Sequence, residues 1–364
     1  MLTALFFALQ LTASPARRVA DLSAELAQRA RDAGLPAVQA AVINYDGLVA
    51  HGAAGVTVLN GLARVTTDDA FHIGSCTKPF TATIVAMLVE EKKLAWDARV
   101  VDVFPEWKQT MRPEYRDVTV ADLLSHEAGL PPYGEDEEIK ALPKFSGSHT
   151  DRRREFSRYV LEHPPALAPR TAFQYSNAGY DVAAAMAERV SGRSWEELVR
   201  QRIFEPLHMR SAGFGWPSRV WGHESDGHGR LKPVDPRGPY QLPDFIAPSG
   251  DLHMSADDLA LFIQAHLRAM RGTRTLIAPD TAATMHTRRK KSGLGFGVAS
   301  VAGFENVATH SGSADTFVTV IAIAAKEDVA VAVSTNAAGE REQKAVGQIL
   351  RDLLTRYATT PHGH

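Results

Sequence analysis

Residues 71–78 read Phe71-His72-Ile73-Gly74-Ser75-Cys76-Thr77-Lys78, and a helical pattern runs from Pro79 to about Lys93. Within this stretch Ser75-Cys-Thr-Lys78 is a Ser-x-x-Lys tetrad. On a helix, positions three apart share a face, so the Lys78 amine can reach back to the Ser75 hydroxyl. A serine alcohol is a poor nucleophile until a neighbouring base takes its proton. An amine can be that base when burial or nearby positive charge lowers its pKa. Four residues thus name a candidate nucleophile and a candidate base. A helix cap followed by a solvated lysine has the same spelling, so the reading depends on partners elsewhere in the chain.

The surrounding composition is that of a globular protein. Of 364 residues, 45% are hydrophobic and 23% charged, which is ample for a large core in one domain or two lobes. A formal net charge of −2 supplies no basic field for nucleic acid. Cys76 is the single cysteine, which excludes an intrachain disulfide framework and a multi-cysteine zinc site. Beside Ser75 it is either a rival nucleophile or a small buried apolar residue, and the Ser75–Lys78 spacing favours serine. At the N-terminus Leu2–Leu11 is apolar and Thr12–Ala16 is small and polar. Residues 1–16 match the hydrophobic and cleavage regions of a signal peptide but lack its charged start. Export to a periplasm or the exterior is the expectation, against a cytosolic protein with an apolar leader. This segment is too short to span a bilayer, and no later stretch reads as a transmembrane helix.

Strand patterns lie at both ends of the chain. Ala37–Ile43 and Leu48–Ala53 flank Asp46-Gly47, a hairpin signal. Leu294–Val301, Glu305–His310, Thr316–Ala324 and Val329–Ser334 are β-rich, and a last helix covers about Glu340–Tyr357. Between them, residues 79–280 read mainly as helices and loops, with box-like caps at Thr119–Asp122, Ser194–Glu197 and Ser255–Asp258. Arg18–Ala33 and Ala178–Val190 are helical, stopped by Gly34 and Gly192. Tandem domains do not give this order. It predicts an α+β lobe built from both termini, about 17–70 and 285–358, with a mostly helical lobe, about 71–284, inserted between. Ser75 then lies near the junction, where clefts form. The charged runs Glu135–Glu138 and Arg152–Arg154 read as solvated faces. Arg288-Arg-Lys-Lys291 reads as a solvated face or as an attractor of an anionic substrate. His223-Glu-Ser-Asp-Gly-His228 reads as a polar loop rather than a metal site.

Two further constellations bear on Ser75. Tyr175-Ser176-Asn177 precedes a helix. Ser176 or Asn177 can be its N-cap, or Tyr175 can carry a proton to Ser75 while the Asn177 amide meets a substrate carbonyl. His310-Ser311-Gly312 ends a predicted strand. It is either a strand end or a set of donors beside a glycine that admits close backbone approach.

The order Ser75-x-x-Lys78, Tyr175-x-Asn177, His310-x-Gly312 resembles the penicillin-binding serine hydrolases and class C β-lactamases, with their D-alanyl-D-alanine carboxypeptidase and esterase relatives. Leu123-Leu-Ser-His-Glu-Ala-Gly-Leu-Pro131, Pro248–Leu259, Gly293-Leu-Gly-Phe-Gly297 and Ser334-Thr-Asn336 add to the likeness, which covers about residues 20–356. The resemblance implies a β-lactamase/transpeptidase-like fold, an antiparallel sheet flanked by helices with a helical lobe, and one catalytic domain over 17–364. It implies a serine hydrolase working through an acyl-enzyme on D-amino-acid peptides, esters or amides. Ser75 would be the nucleophile, with Lys78 and Tyr175 sharing proton transfer in an order left open. Asn177 would orient the acyl group, the N–H groups of Ser75 and Ser313 would form the oxyanion hole, and His310, Ser311 and Gly312 would contact the substrate. No cofactor or metal is implied. The partner is a small molecule or peptide carrying an acyl group. The third box is His-Ser-Gly rather than Lys-Thr-Gly, which replaces a fixed charge with an imidazole and disfavours efficient β-lactam hydrolysis. The alternatives are a class C-like β-lactamase and a penicillin sensor or scaffold that does not turn over. An α/β-hydrolase would need a Gly-x-Ser-x-Gly elbow, which the chain lacks.

Overall fold

The computed structural model describes residues 18–134, 136–226, 230–238 and 241–359. The apolar N-terminal segment and His228 lie outside them.

Among the described residues seven strands form the main sheet: β1 Ala20–Asp21, β2 Ala37–Ile43, β3 Leu48–Gly55, β4 Gly297–Val301, β5 Phe304–Ser313, β6 Val318–Ala324 and β7 Val329–Thr335. Their spatial order is β1-β3-β2-β7-β6-β5-β4. Every neighbouring pair is antiparallel except the two-residue edge β1, which runs parallel to β3. The two ends of the chain meet at β2 and β7, where Ala40 lies opposite Val333. The β2–β3 turn is closed by the Asn44 side chain, which accepts from the N–H groups of Asp46 at 3.0 Å and Gly47 at 3.1 Å. That is the local hydrogen bonding that makes Asn a turn residue.

All of β2 is buried, because alternate residues serve two cores. Val38, Ala40 and Val42 pack with Val331, Val333 and the terminal helices Ser23–Ala33 and Glu340–Tyr357. Ala41 and Ile43 face the other way, into a larger core with Phe80, Ile84 and Phe262. Phe80 and Ile84 belong to the helix Lys78–Glu90, whose residues from Lys78 to Leu88 are all buried. A helix covered on every side reads as apolar all round, which makes it a fixed strut behind the residues at its start.

Some expectations need correction. The central region also carries strands: Leu252–Met254 pairs with both Phe71–His72 and Gly213–Phe214, and Gly222–Ser225 pairs with Leu231–Val234. At two to four residues each, they are too short for a period-two pattern to register. The strand expected to end at His310 continues to Ser313, because His310–Ser313 stay paired with β6. Thr119–Asp122 and Ser194–Glu197 are full capping boxes. At Ser255 only half the box forms, since the Asp258 carboxylate instead accepts from the Ser211 N–H and hydroxyl. Arg153, read as part of a solvated face, is fully buried and pairs with Glu188 and Glu196; a buried guanidinium is tolerated only with such partners. Both nitrogens of His223 are engaged by backbone, the Asn336 carbonyl and the Leu59 N–H. Among the described residues no helix is long and apolar enough to cross a membrane.

Candidate active site

Ser75 does not sit within the long helix. It lies in a 3₁₀ turn, Gly74–Thr77, that runs directly into it, and Lys78 is the first α-helical residue. In a 3₁₀ turn residues three apart eclipse, so the two side chains approach more directly than on an α-helix. The Lys78 Nζ lies 3.0 Å from the Ser75 Oγ. The turn is fixed from below. Gly74, at φ +51°, donates its N–H to His72 Nδ1 at 3.1 Å, and the other His72 nitrogen faces Asp251 Oδ1 at 3.2 Å.

Lys78 is wholly buried. Besides Ser75, its Nζ has two acceptors, Asn177 Oδ1 and the Ser249 carbonyl, each at 2.7 Å. Ser249 belongs to the short helix Ala247–Gly250. That segment is held to the central helix by the Thr81 hydroxyl on the Pro248 carbonyl at 2.7 Å and by the Leu252 N–H on Thr77 Oγ1 at 3.1 Å. A neutral amine has two N–H bonds and one lone pair. With the N–H groups on Asn177 and Ser249, the lone pair points at the Ser75 hydroxyl. The same three contacts suit an ammonium donating to all of them, so the site accommodates Lys78 before and after it takes a proton.

Tyr175 approaches from the open side. Its hydroxyl is 2.8 Å from Ser75 Oγ, and the residue is 37% exposed. Ser176 is the N-cap of the helix Asn177–Ser191, accepting from the Gly179 N–H. Its own N–H goes to His126 Nδ1 at 3.1 Å and its hydroxyl to the Pro131 carbonyl at 2.6 Å. Asn177 donates through Nδ2 to the Tyr133 carbonyl at 2.9 Å. Residues 126–133 therefore wrap the Tyr-Ser-Asn motif. His126 and Tyr133, at the two ends, both have positive φ, 60° and 48°, conformations unusual for bulky side chains and found where surroundings over-determine the backbone.

The strand carrying His310-Ser311-Gly312-Ser313 lies against the nucleophile turn. A Cβ on Gly312 would fall 1.9 Å from the Ile73 carbonyl oxygen and 2.8 Å from the Ser75 nitrogen, and one on Gly74 would fall 2.7 Å from the Ser313 nitrogen. Two glycines thus let the Ser75 and Ser313 backbones come together, as a two-amide oxyanion hole requires. The Cys76 thiol is buried beneath this strand, its Sγ 3.7 Å and 3.6 Å from the carbonyl oxygens of His310 and Thr319. Burial pushes its pKa well up, so it packs rather than reacts.

Two imidazoles border the site. His310 Nδ1 is 2.8 Å from the Ser311 carbonyl, which can only accept; the proton is therefore on Nδ1 and Nε2 is bare. Burial first, then the Lys78 charge, lowers the His310 pKa to about 3. His126 is buried and its ring stacks on Tyr175, centroids 4.5 Å apart. Since its Nδ1 accepts from Ser176, its proton is on Nε2. Burial, then Lys78, holds it well below the ordinary histidine range. Both are neutral. Asp181, one turn beyond Asn177, is fully buried; burial pushes its pKa well up, opposed by Lys78 and Arg153. A cavity of about 200 Å³ opens beside Tyr175, bordered by His126, Phe173, His310, Ser311 and Lys291.

The residues expected from sequence, Ser75, Lys78, Tyr175, Asn177, His310, Ser311, Gly312 and Ser313, therefore converge on one place. Sequence reading missed His126, Ser249 and Asp181. His126 and Ser249 lie inside blocks noted for family likeness, but a backbone carbonyl and a tautomer leave no mark in a sequence.

Comparison with known proteins agrees with this architecture. Penicillin-binding protein 4 of Amycolatopsis lactamdurans is 29% identical over 249 residues, 67% of this chain and 63% of that protein, so the chain spans less than two thirds of that relative. Esterase EstB of Burkholderia gladioli is 28% identical over 314 residues, 76% of this chain and 75% of its own length. The octameric penicillin-binding protein homologue from Pyrococcus abyssi superposes with a TM-score of 0.75 at 24% identity, covering 93% of this chain and 77% of that one; at that identity the likeness is one of fold. The Beta-lactamase family model matches residues 21–355, and the chain, with its serine turn, its buried lysine and its glycine-opened strand, belongs to that family.

Proposed function

We propose that this protein is a serine hydrolase that forms an acyl-enzyme at Ser75 on esters, amides or D-amino-acid peptides. One observation carries the reading: Ser75 Oγ lies within hydrogen-bond distance of both a buried lysine and an exposed tyrosine. Attack by Oγ on a substrate carbonyl forms the Oγ–C bond, and the serine proton passes to the Lys78–Tyr175 pair. The N–H groups of Ser75 and Ser313 receive the oxyanion. As the bond to the leaving nitrogen or oxygen breaks, Tyr175, the group nearest the open side, returns the proton to it. Water then repeats the sequence at the acyl-enzyme and releases the acid. The relatives named an esterase and a penicillin-binding protein support ester and amide carbonyls as the reacting groups.

The test is incubation with a p-nitrophenyl ester, a fluorophosphonate and a fluorescent penicillin, followed by intact mass. Expected are ester turnover, fluorophosphonate labelling, and loss of both in Ser75→Ala. Equal labelling of Ser75→Ala overturns the assignment. A penicillin adduct that persists without ester turnover marks a sensor instead, and rapid penicillin turnover marks a β-lactamase.

A further inference from the structure

The cavity beside Tyr175 carries a pattern that the acyl-transfer chemistry does not use. Tyr175 is the proton carrier on its wall, so the group leaving Ser75 departs toward it. Asn177, tied to Lys78 and Tyr133, does not border it. The cavity is therefore the leaving-group site. Where a lysine would put a fixed charge, His310 presents a bare Nε2, because its Nδ1–H is spent on the Ser311 carbonyl. His126 presents the converse, an Nε2–H, because its Nδ1 is spent on the Ser176 N–H. The fold thus sets two neutral imidazoles on one cavity, one an acceptor and one a donor. Burial keeps His126 uncharged, and for the half-open His310 the surrounding protein and then the Lys78 charge do the same.

We propose that this cavity binds an uncharged amide of the leaving group, His126 donating to its carbonyl oxygen and His310 accepting from its N–H. A carboxylate in the same place would set an anionic oxygen against the His310 lone pair, and a site built for a specific donor and acceptor rejects a ligand that leaves one unmatched. Among the described residues the cation on the cavity wall is Lys291, which is exposed and lies over the Phe173 ring, 5.8 Å from its centroid, where solvent screens it. The substrate class this favours is a peptide that continues past the scissile bond or ends in a carboxamide, rather than one ending in a free carboxylate. The inference rests on the hydrolase reading above.

The experiment compares kcat/KM for N-acetyl-D-alanyl-D-alaninamide and N-acetyl-D-alanyl-D-alanine, with p-nitrophenyl acetate as the control for acyl transfer itself. The expected result is a preference of about tenfold or more for the carboxamide, the order of one matched hydrogen bond. His310→Lys should reverse that preference, and Lys291→Ala, away from the two imidazoles, should keep it. Equal rates, a preference for the free acid, an unchanged ratio in His310→Lys, or loss of the preference in Lys291→Ala each overturns the inference while leaving the hydrolase reading intact. Failure of the wild type to hydrolyse the control ester overturns both.

Discussion

Lys78 and His310 both border the space around Ser75, but they are held in contrasting ways. Lys78 is enclosed: no part of it reaches solvent, and its nitrogen has a side-chain amide, a backbone carbonyl and the serine as neighbours. His310 is half-open, its ring anchored at one nitrogen and, among the described residues, without a hydrogen-bond partner at the other. The enclosed group has its contacts settled before substrate arrives, as proton transfer within a preorganised site requires. The half-open group has an unmet hydrogen bond that only a ligand can complete. Chemistry and selection are thus placed on different structural footings.

The contrast can be broken most severely at the closed side. Lys78→Met removes the base and leaves Asn177 Oδ1 and the Ser249 carbonyl without their donor. Acylation by a p-nitrophenyl ester should slow by about 10³- to 10⁴-fold, and urea unfolding should show a loss of about 1–3 kcal/mol from the orphaned acceptors. An unchanged acylation rate would remove Lys78 from the mechanism. Gly312→Ala tests the seam between the two sides. The new methyl collides with the Ile73 carbonyl, pushing the strand from the nucleophile turn, and kcat should fall about 100-fold, the cost of losing one oxyanion donor. Wild-type kcat in this variant would show that the strand's approach is not needed.

Tyr175→Phe sharpens the same comparison. Rate should drop about 10- to 100-fold, as for loss of a proton carrier, while stability stays within about 0.5 kcal/mol because the hydroxyl is at the surface. A large stability loss would place Tyr175 on the closed side. The smallest effect is expected far from the site. His266 donates from Nε2 to Thr83 Oγ1 and accepts at Nδ1 from His286. Burial lowers the His286 pKa to about 3. The unfolded chain, with histidine near 6.5, then binds a proton that the folded chain refuses between pH 6.5 and 3, so the contribution of His286 is full above 6.5 and is lost as pH falls. The stability gap between wild type and His286→Phe should narrow by up to about 1.4 kcal/mol per pH unit below 6.5, read from urea midpoints. A constant gap would contradict a buried neutral imidazole.

How much of this was legible in the sequence depended on what carries each feature. Strands of seven residues, such as Ala37–Ile43 and Val329–Thr335, announce themselves through β-branched and small apolar runs. The pairing of the two chain ends followed from their order. The two-residue strand Phe71–His72 was not legible, since its identity comes from Leu252–Met254 pairing with it. Ser75, Lys78 and Tyr175 were legible because their side chains bear the chemistry. Ser249 was not, because its contribution is a peptide carbonyl that any residue possesses. Arg153 looked like its neighbours, the half-buried Arg152 and the exposed Arg154, because burial of one charge in a run is decided by the helix face it falls on and by Glu188 and Glu196 arriving from elsewhere. His310 was visible as a departure from lysine. Its proton position was not, because that is set by a hydrogen bond to the next residue's carbonyl.

The sole thiol of the chain, Cys76, is sealed between the nucleophile turn and the strand that carries His310. No reagent reaches it while the two remain together. The protein therefore contains its own clock for the opening of that seam: the rate at which a thiol reagent modifies Cys76 measures how often the catalytic turn and the strand part, and a ligand that bridges them should slow the clock without touching the sulfur.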